Sequence, residues 1–172
     1  MTELQFHAVT LNDLSVLRDL SVKTFSEKFE KDNLEQNLDQ YLKTAFNKTK
    51  LKEELSDENV KFYFAKSNDE VLGYLKLNKD NSQNELTSYN SVELERIYVL
   101  KAFQGQKIGQ RLLDFAIKYA KDLKAEFIWL GVWEHNSDAI RFYTKNGFKQ
   151  FDSHFFWLGN DKQTDIMMKL EL

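Results

Sequence analysis

The chain has 172 residues, 42% of them hydrophobic and 30% charged, with a formal net charge of −3 and neither cysteine nor proline. That length suits a single domain, 1–172, with its own core, and the composition is that of a globular protein. Without cysteine there is no disulfide framework, thiol nucleophile or thiolate metal site. The acidic balance and only four arginines argue against nucleic acid as a partner. No apolar run approaches the roughly 18–20 residues of a membrane span, and MTELQFHAV carries no basic-then-apolar leader. A cytoplasmic protein, away from membranes, is expected.

In chain order, Leu4 to Val9 alternates apolar and polar residues as a strand does. Thr10 and Asp13 then supply a capping signal. Leu11, Leu14, Leu17, Val22, Phe25 and Phe29 recur at helical spacing. A second helical pattern follows through Leu34, Leu38, Tyr41, Leu42, Ala45 and Phe46, and a short third one carries Leu51 and Leu55. From Asn59 the period becomes two: Val60, Phe62 and Phe64 share one face of a strand, and Val71 to Leu77 forms the next. Ser67 to Glu70 is a hairpin turn by composition. Asn78 to Ser91 is a long polar loop, mobile or functional.

Val92 to Lys124 reads as strand, Gln/Gly turn and amphipathic helix. In the strand, Leu94 lies out of parity with Ile97 and Val99. Either both faces are buried or an extra residue near Glu95 and Arg96 bulges, and the bulge is favoured because those two suit a buried strand poorly. The helix from Lys107 to Lys124 carries Ile108, Leu112, Phe115, Ala116, Tyr119, Ala120 and Leu123 on one stripe. Its free N-terminal N–H groups, beyond a strand end, make an anion site. Phe127 to Val132 is nearly continuous apolar, as in a parallel strand covered on both faces. Asn136 or Ser137 caps a helix over Asp138 to Asn146, and Gly147 ends it. Two strands close the chain, Phe148 to Leu158, broken near Asp152, and Thr164 to Leu172.

The turn fits neither the dinucleotide fingerprint nor the P-loop. Gln104-Gly105-Gln106-Lys107-Ile108-Gly109 instead matches [RQ]-x-x-G-x-[GA], except that Lys107 stands at the usual first glycine. Asn136, Ala139, Tyr143, Gly147 and Phe148 match N-x-x-A-x-x-x-Y-x-x-x-G-F in full. Together these blocks resemble the GNAT superfamily of N-acetyltransferases. The resemblance implies an α/β (α+β) fold. Its central mixed sheet has about seven strands, helices on both faces and a splayed parallel strand pair in the middle.

The resemblance implies acetyl-CoA as co-substrate and no metal. The pyrophosphate would lie on 104–110, including Gln106, Ile108, Gly109 and Gln110. The pantetheine would run along Ile97, Tyr98 and Val99, with Asn136 and Lys145 as further contacts. The Lys107 ammonium would crowd a phosphate or pair with one. Tyr143 would protonate the leaving thiolate, since a phenol near 10 still holds its proton at pH 7. Glu95 is the first candidate for the base that frees the amine, with Glu93 and His135 as alternatives. His7 and His154 lack ligand spacing and read as structural.

The segments ELERIYV, IWLGVWE and QTDIMMK are similar to bacterial spermidine/spermine N-acetyltransferases of the PaiA type. That implies a polyamine acceptor, for which Glu27, Glu30 and Asp32 supply acidic charge. An aminoglycoside or protein N-terminus is the alternative acceptor, and a CoA-binding regulatory module the alternative function. Either a monomer or a homodimer is compatible.

Overall fold

The computed structural model describes residues 3–172, which build one mixed seven-stranded sheet with helices on both faces. After β1 (Leu4–Ala8) and a 3-10 turn come α1 (Leu14–Phe29), α2 (Glu35–Ala45) and α3 (Lys48–Ser56). The antiparallel strands β2 (Val60–Ser67), β3 (Glu70–Lys79) and β4 (Ser91–Val99) lead into α4 (Ile108–Asp122). Then follow β5 (Phe127–Trp133), α5 (Ser137–Lys145), β6 (Lys149–Leu158) and β7 (Asp161–Glu171). Across the sheet the order is β1-β2-β3-β4-β5-β7-β6.

Local chemistry starts the helices where the sequence signals them. The Asp13 carboxylate accepts from the Thr10 N–H and hydroxyl, both at 2.9 Å, and the Asn47 side chain accepts the Lys50 N–H at 2.8 Å. On one face of the sheet, α1–α3 bury Leu17, Phe25, Leu38, Phe46 and Leu51 against Phe62, Phe64 and Tyr74. On the other, the α4 stripe buries Leu112, Leu113, Ala116 and Ala120 against Leu75, Leu94, Ile128 and Leu130. Each of the Leu, Ile and Phe side chains among them contributes roughly 1.5–3 kcal/mol.

The ladders explain the irregular parity. On β4, Arg96 faces Lys76 but Leu94 faces Leu77, so Glu95 is the extra residue of a β-bulge. The alternative to a bulge, two buried faces, is also realised. Leu94 and Arg96 are both buried, because Arg96 finds acidic partners. On β6, Phe151 is extra, since Gln150 pairs with Met168 and Asp152 with Met167.

β4 and β5 pair in parallel at three positions only, Ser91–Phe127, Val92–Ile128 and Glu93–Trp129. Beyond Glu93 the strands part, while β5 keeps pairing with β7 as far as Trp133–Asp165. The polar stretch expected as a 78–91 loop is shorter. β3 continues through Asn78 to Lys79, and a 3-10 turn fills Asp80–Ser82.

Candidate active site

The turn between β4 and α4 is shaped by two left-handed residues, Gly105 at φ +78° and Lys107 at φ +62°. Left-handed geometry costs an L side chain roughly 1–2 kcal/mol, which is why a glycine is the ordinary choice where Lys107 stands. The first internal helix bond is Arg111 N–H to the Lys107 carbonyl, 3.1 Å, so the N–H groups before it are free for an anion. Nothing lies within 4 Å of where a Cβ would stand on Gly105 or Gly109. That open cradle of backbone donors fits a pyrophosphate.

Side chains contribute less to this cradle than their positions suggest. The Gln104 amide turns back to the Val99 carbonyl, 3.1 Å, and the Gln110 amide bonds Asn146 and Asp114. The Gln106, Lys107 and Lys145 side chains are exposed, while Ile108 is buried in the core. Asn136 caps α5, accepting the Ala139 N–H at 3.4 Å. Ile97, Tyr98 and Val99 lie on β4 past its last pair with β5. The Tyr98 ring points to the α1 face, 6.1 Å from Phe25 and 6.0 Å from Tyr74.

Tyr143 is the one buried side chain of α5, packed between Phe142 and Phe148. Burial raises its pKa well above that of a free phenol, so the hydroxyl holds its proton throughout the physiological range.

The bulge places Glu95 among cations. Its carboxylate lies 2.6 Å from Lys76 Nζ and 3.1 Å from Arg96, and accepts from Asn78 Nδ2 at 2.6 Å. Glu54 of α3 meets the same two cations, at 3.0 Å from Lys76 and 3.4 Å from Arg96. Burial opposes the charge on Glu95, but Arg96 and Lys76 outweigh it and hold the carboxyl at about 2. Such a group offers fixed charge and little basicity. Glu93 differs. Burial, reinforced by the Glu95 charge, raises its carboxyl against hydrogen bonds from Asn84 and Asn78. Two glutamates flanking Leu94 thus have proton affinities pushed apart, and Glu93 has the higher.

Three consecutive residues of the 83–85 segment strap the point where the parallel strands part. Gln83 Oε1 accepts from Trp129 Nε1 at 2.7 Å and from the Ser91 hydroxyl at 2.9 Å. Asn84 donates its backbone N–H and its amide to Glu93, both at 2.8 Å. Glu85 pairs with His154 Nδ1 at 2.6 Å, and Asp165 lies 3.5 Å from the other ring nitrogen. The hydrogen bond to Asp165, aided by the Glu85 charge, raises the His154 pKa. A Cβ on Gly131 would stand 3.2 Å from the His154 ring, so any larger residue would push the ring aside by a few tenths of an ångström. The other histidines stand apart: His135 is exposed beside Trp133, and His7 bonds Gln5 at the far edge.

The three acids named for the acceptor do not converge. The Glu27 carboxylate accepts the Lys101 N–H at 2.9 Å, tying α1 to the turn after β4. Glu30 is exposed at the end of α1. Asp32 lines an open cavity of about 500 Å³, with Asn33, Asn37, Asn160 and Asp161 around it. Gln163 holds this mouth together, donating to Asn33 and Asp161 at 2.8 Å each. What sequence reasoning missed is the Glu54–Lys76–Arg96 cluster and the strap. The one available sign was Lys76, a charge inside the apolar run of β3.

With this geometry in place, comparison with known proteins is decisive. A model of the Acetyltransferase (GNAT) family matches residues 16–148. The chain belongs to the GNAT family. It is therefore an N-acetyltransferase by class. An uncharacterized N-acetyltransferase in the pepI 3′ region of Lactobacillus delbrueckii subsp. lactis is 40% identical over 172 residues, 100% of this chain and 99% of the relative. A spermidine N(1)-acetyltransferase of Thermoplasma acidophilum is 25% identical over 154 residues, 87% of this chain and 91% of its own. Among solved structures, the PaiA N-acetyltransferase from Thermoplasma acidophilum in complex with coenzyme A superposes with a TM-score of 0.81. It is 23% identical, with 99% of each chain covered, and shares the GNAT fold seen here.

Proposed function

We propose that residues 1–172 act as one domain that moves the acetyl group of acetyl-CoA to a primary amine, a polyamine such as spermidine or spermine. The observation that carries this reading is the parting of β4 and β5 beyond Glu93–Trp129, with the α4 cradle at the open end and Tyr143 on the adjoining helix. The cradle N–H groups hold the pyrophosphate, and the unpaired edge of β4 from Ile97 to Val99 takes the pantetheine arm as a missing strand. A backbone N–H near Val99 polarises the thioester carbonyl. The amine attacks that carbonyl directly, forming C–N as C–S breaks, and Tyr143 gives its proton to the departing thiolate. The proton leaving the amine goes toward Glu93 on β4, the β4 acid with the higher proton affinity.

The polyamine rests on the spermidine-acetylating relative and on charge placement. Lys76 and Arg96 neutralise Glu54 and Glu95, while Asp32 and Asp161 line an open cavity beside Lys31 and leave it a net acidic charge. Thiol release from acetyl-CoA, followed across spermidine, spermine, an aminoglycoside and a peptide N-terminus, tests both levels. Spermidine and spermine are expected to react fastest. Transfer to the peptide alone removes the polyamine. Coenzyme A binding with no transfer to any amine favours a regulatory binding module.

A further inference from the structure

α5 carries Tyr143 and packs on the core through Ala139, Ile140 and Phe142, a contact that leaves its ends to be fixed by polar groups. It has nine residues, and Tyr143 is its one buried side chain. Its N-terminus is fixed by the Asn136 cap, at a long 3.4 Å. Its C-terminus is fixed by an amide pair that crosses to α4. Gln110 Nε2 donates to Asn146 Oδ1 at 2.6 Å and to Asp114 at 2.9 Å. Asn146 Nδ2 donates back to Gln110 Oε1 at 3.2 Å and to the Phe142 carbonyl at 2.9 Å. All four amide hydrogens have an acceptor and both amide oxygens a donor, so neither group can turn without losing bonds. Gln110 sits in the first turn of α4, inside the cradle, and Asn146 is three residues from Tyr143.

We infer that Gln110 and Asn146 form a strut that fixes Tyr143 relative to the α4 cradle. They are positioning residues, and Gln110 binds no phosphate through its side chain. The inference rests on Tyr143 as the proton donor. A general acid works only within about 2.6–3.2 Å of its target, and a displacement of 1 Å costs about 100-fold. The cradle and the acid lie on different helices joined by a long chain path, so a direct brace is what keeps their spacing.

Gln110→Leu keeps the helix and the backbone N–H while removing the amide. Its thiol-release kcat is expected to fall about tenfold, with coenzyme A affinity by calorimetry unchanged within about twofold. In a Tyr143→Phe background the same substitution is expected to change kcat less than about twofold, because no acid is left to misplace. Asn146→Ser approaches the strut from the other side and is expected to give the same pattern, with folding checked by thermal unfolding. A loss of coenzyme A affinity with kcat unchanged makes Gln110 a ligand contact and overturns the strut. So does a full tenfold loss on top of Tyr143→Phe. If Tyr143→Phe alone leaves kcat unchanged, the proton-donor reading fails, and the strut with it.

Discussion

The two walls of the cleft are built from different materials. The cofactor wall is a short local turn whose working groups are backbone N–H donors, and its side chains mostly point elsewhere. The opposing region is a network of buried and half-buried ions, Glu54, Lys76, Glu95 and Arg96, drawn from α3, β3 and β4. A backbone site tolerates substitution as long as the chain keeps its dihedral angles, so Lys107 can stand at a left-handed position that favours glycine. A side-chain network has no such slack, because removing one ion strands the others in a low-dielectric interior.

The largest effect expected from that contrast is on Lys76. Lys76→Met leaves Glu54 and Glu95 short of a partner and costs about 3–5 kcal/mol in urea unfolding, while coenzyme A affinity stays within about twofold. Because the Glu95 carboxyl is held at about 2, below its ordinary 4.5, its pairing stabilises the fold above pH 4.5. It is lost as pH falls toward 2, so the gap between wild type and Lys76→Met narrows across that window. A variant as stable as wild type at pH 7 would show that the two walls do not differ in this way.

On the cofactor side, Tyr143→Phe is expected to lower kcat for thiol release about 100-fold, roughly 2.7 kcal/mol, with little change in stability. Asn84→Ala removes the side-chain amide bond to buried Glu93 while the backbone N–H bond stays, and is expected to cost about 1 kcal/mol in thermal unfolding. Glu85→Gln reaches the exposed end of the strap and costs less than about 1 kcal/mol. The raised His154 pKa makes that pairing stabilising below its ordinary 6.5 and lost as pH rises through the folded value. A His154 titration midpoint by NMR that ignores Glu85→Gln would detach the strap from β6. Smallest is Lys107→Gly, which relieves the left-handed strain but frees the unfolded chain. The net expected is about 0.5 kcal/mol of stabilisation. If the ammonium meets a phosphate, coenzyme A binding weakens less than tenfold and depends less on salt.

The same contrast explains what could be read from sequence. The cradle was legible because its residues are contiguous, while the apolar run Phe127 to Val132 declares only a buried strand and the splay followed from the family resemblance. The Glu95 bulge was legible as a parity break at Leu94. The ion network and the strap were not, since Glu54 meets Arg96 across 42 positions and Gln83 meets Trp129 across 46. No periodicity carries a pairing over such distances. Glu27 is a related case. Its charge suggested an acceptor site, but its partner is a backbone N–H 74 residues away, and nothing local reports that.

The strap also sets where the chain can be lengthened. Long polar loops are ordinarily the places that accept inserted peptides or fluorescent tags. Here Gln83, Asn84 and Glu85 reach β5, β4 and β6 in turn, each through its own side chain. One added residue would rotate the following contacts out of reach, so this stretch behaves as a ruler of fixed length.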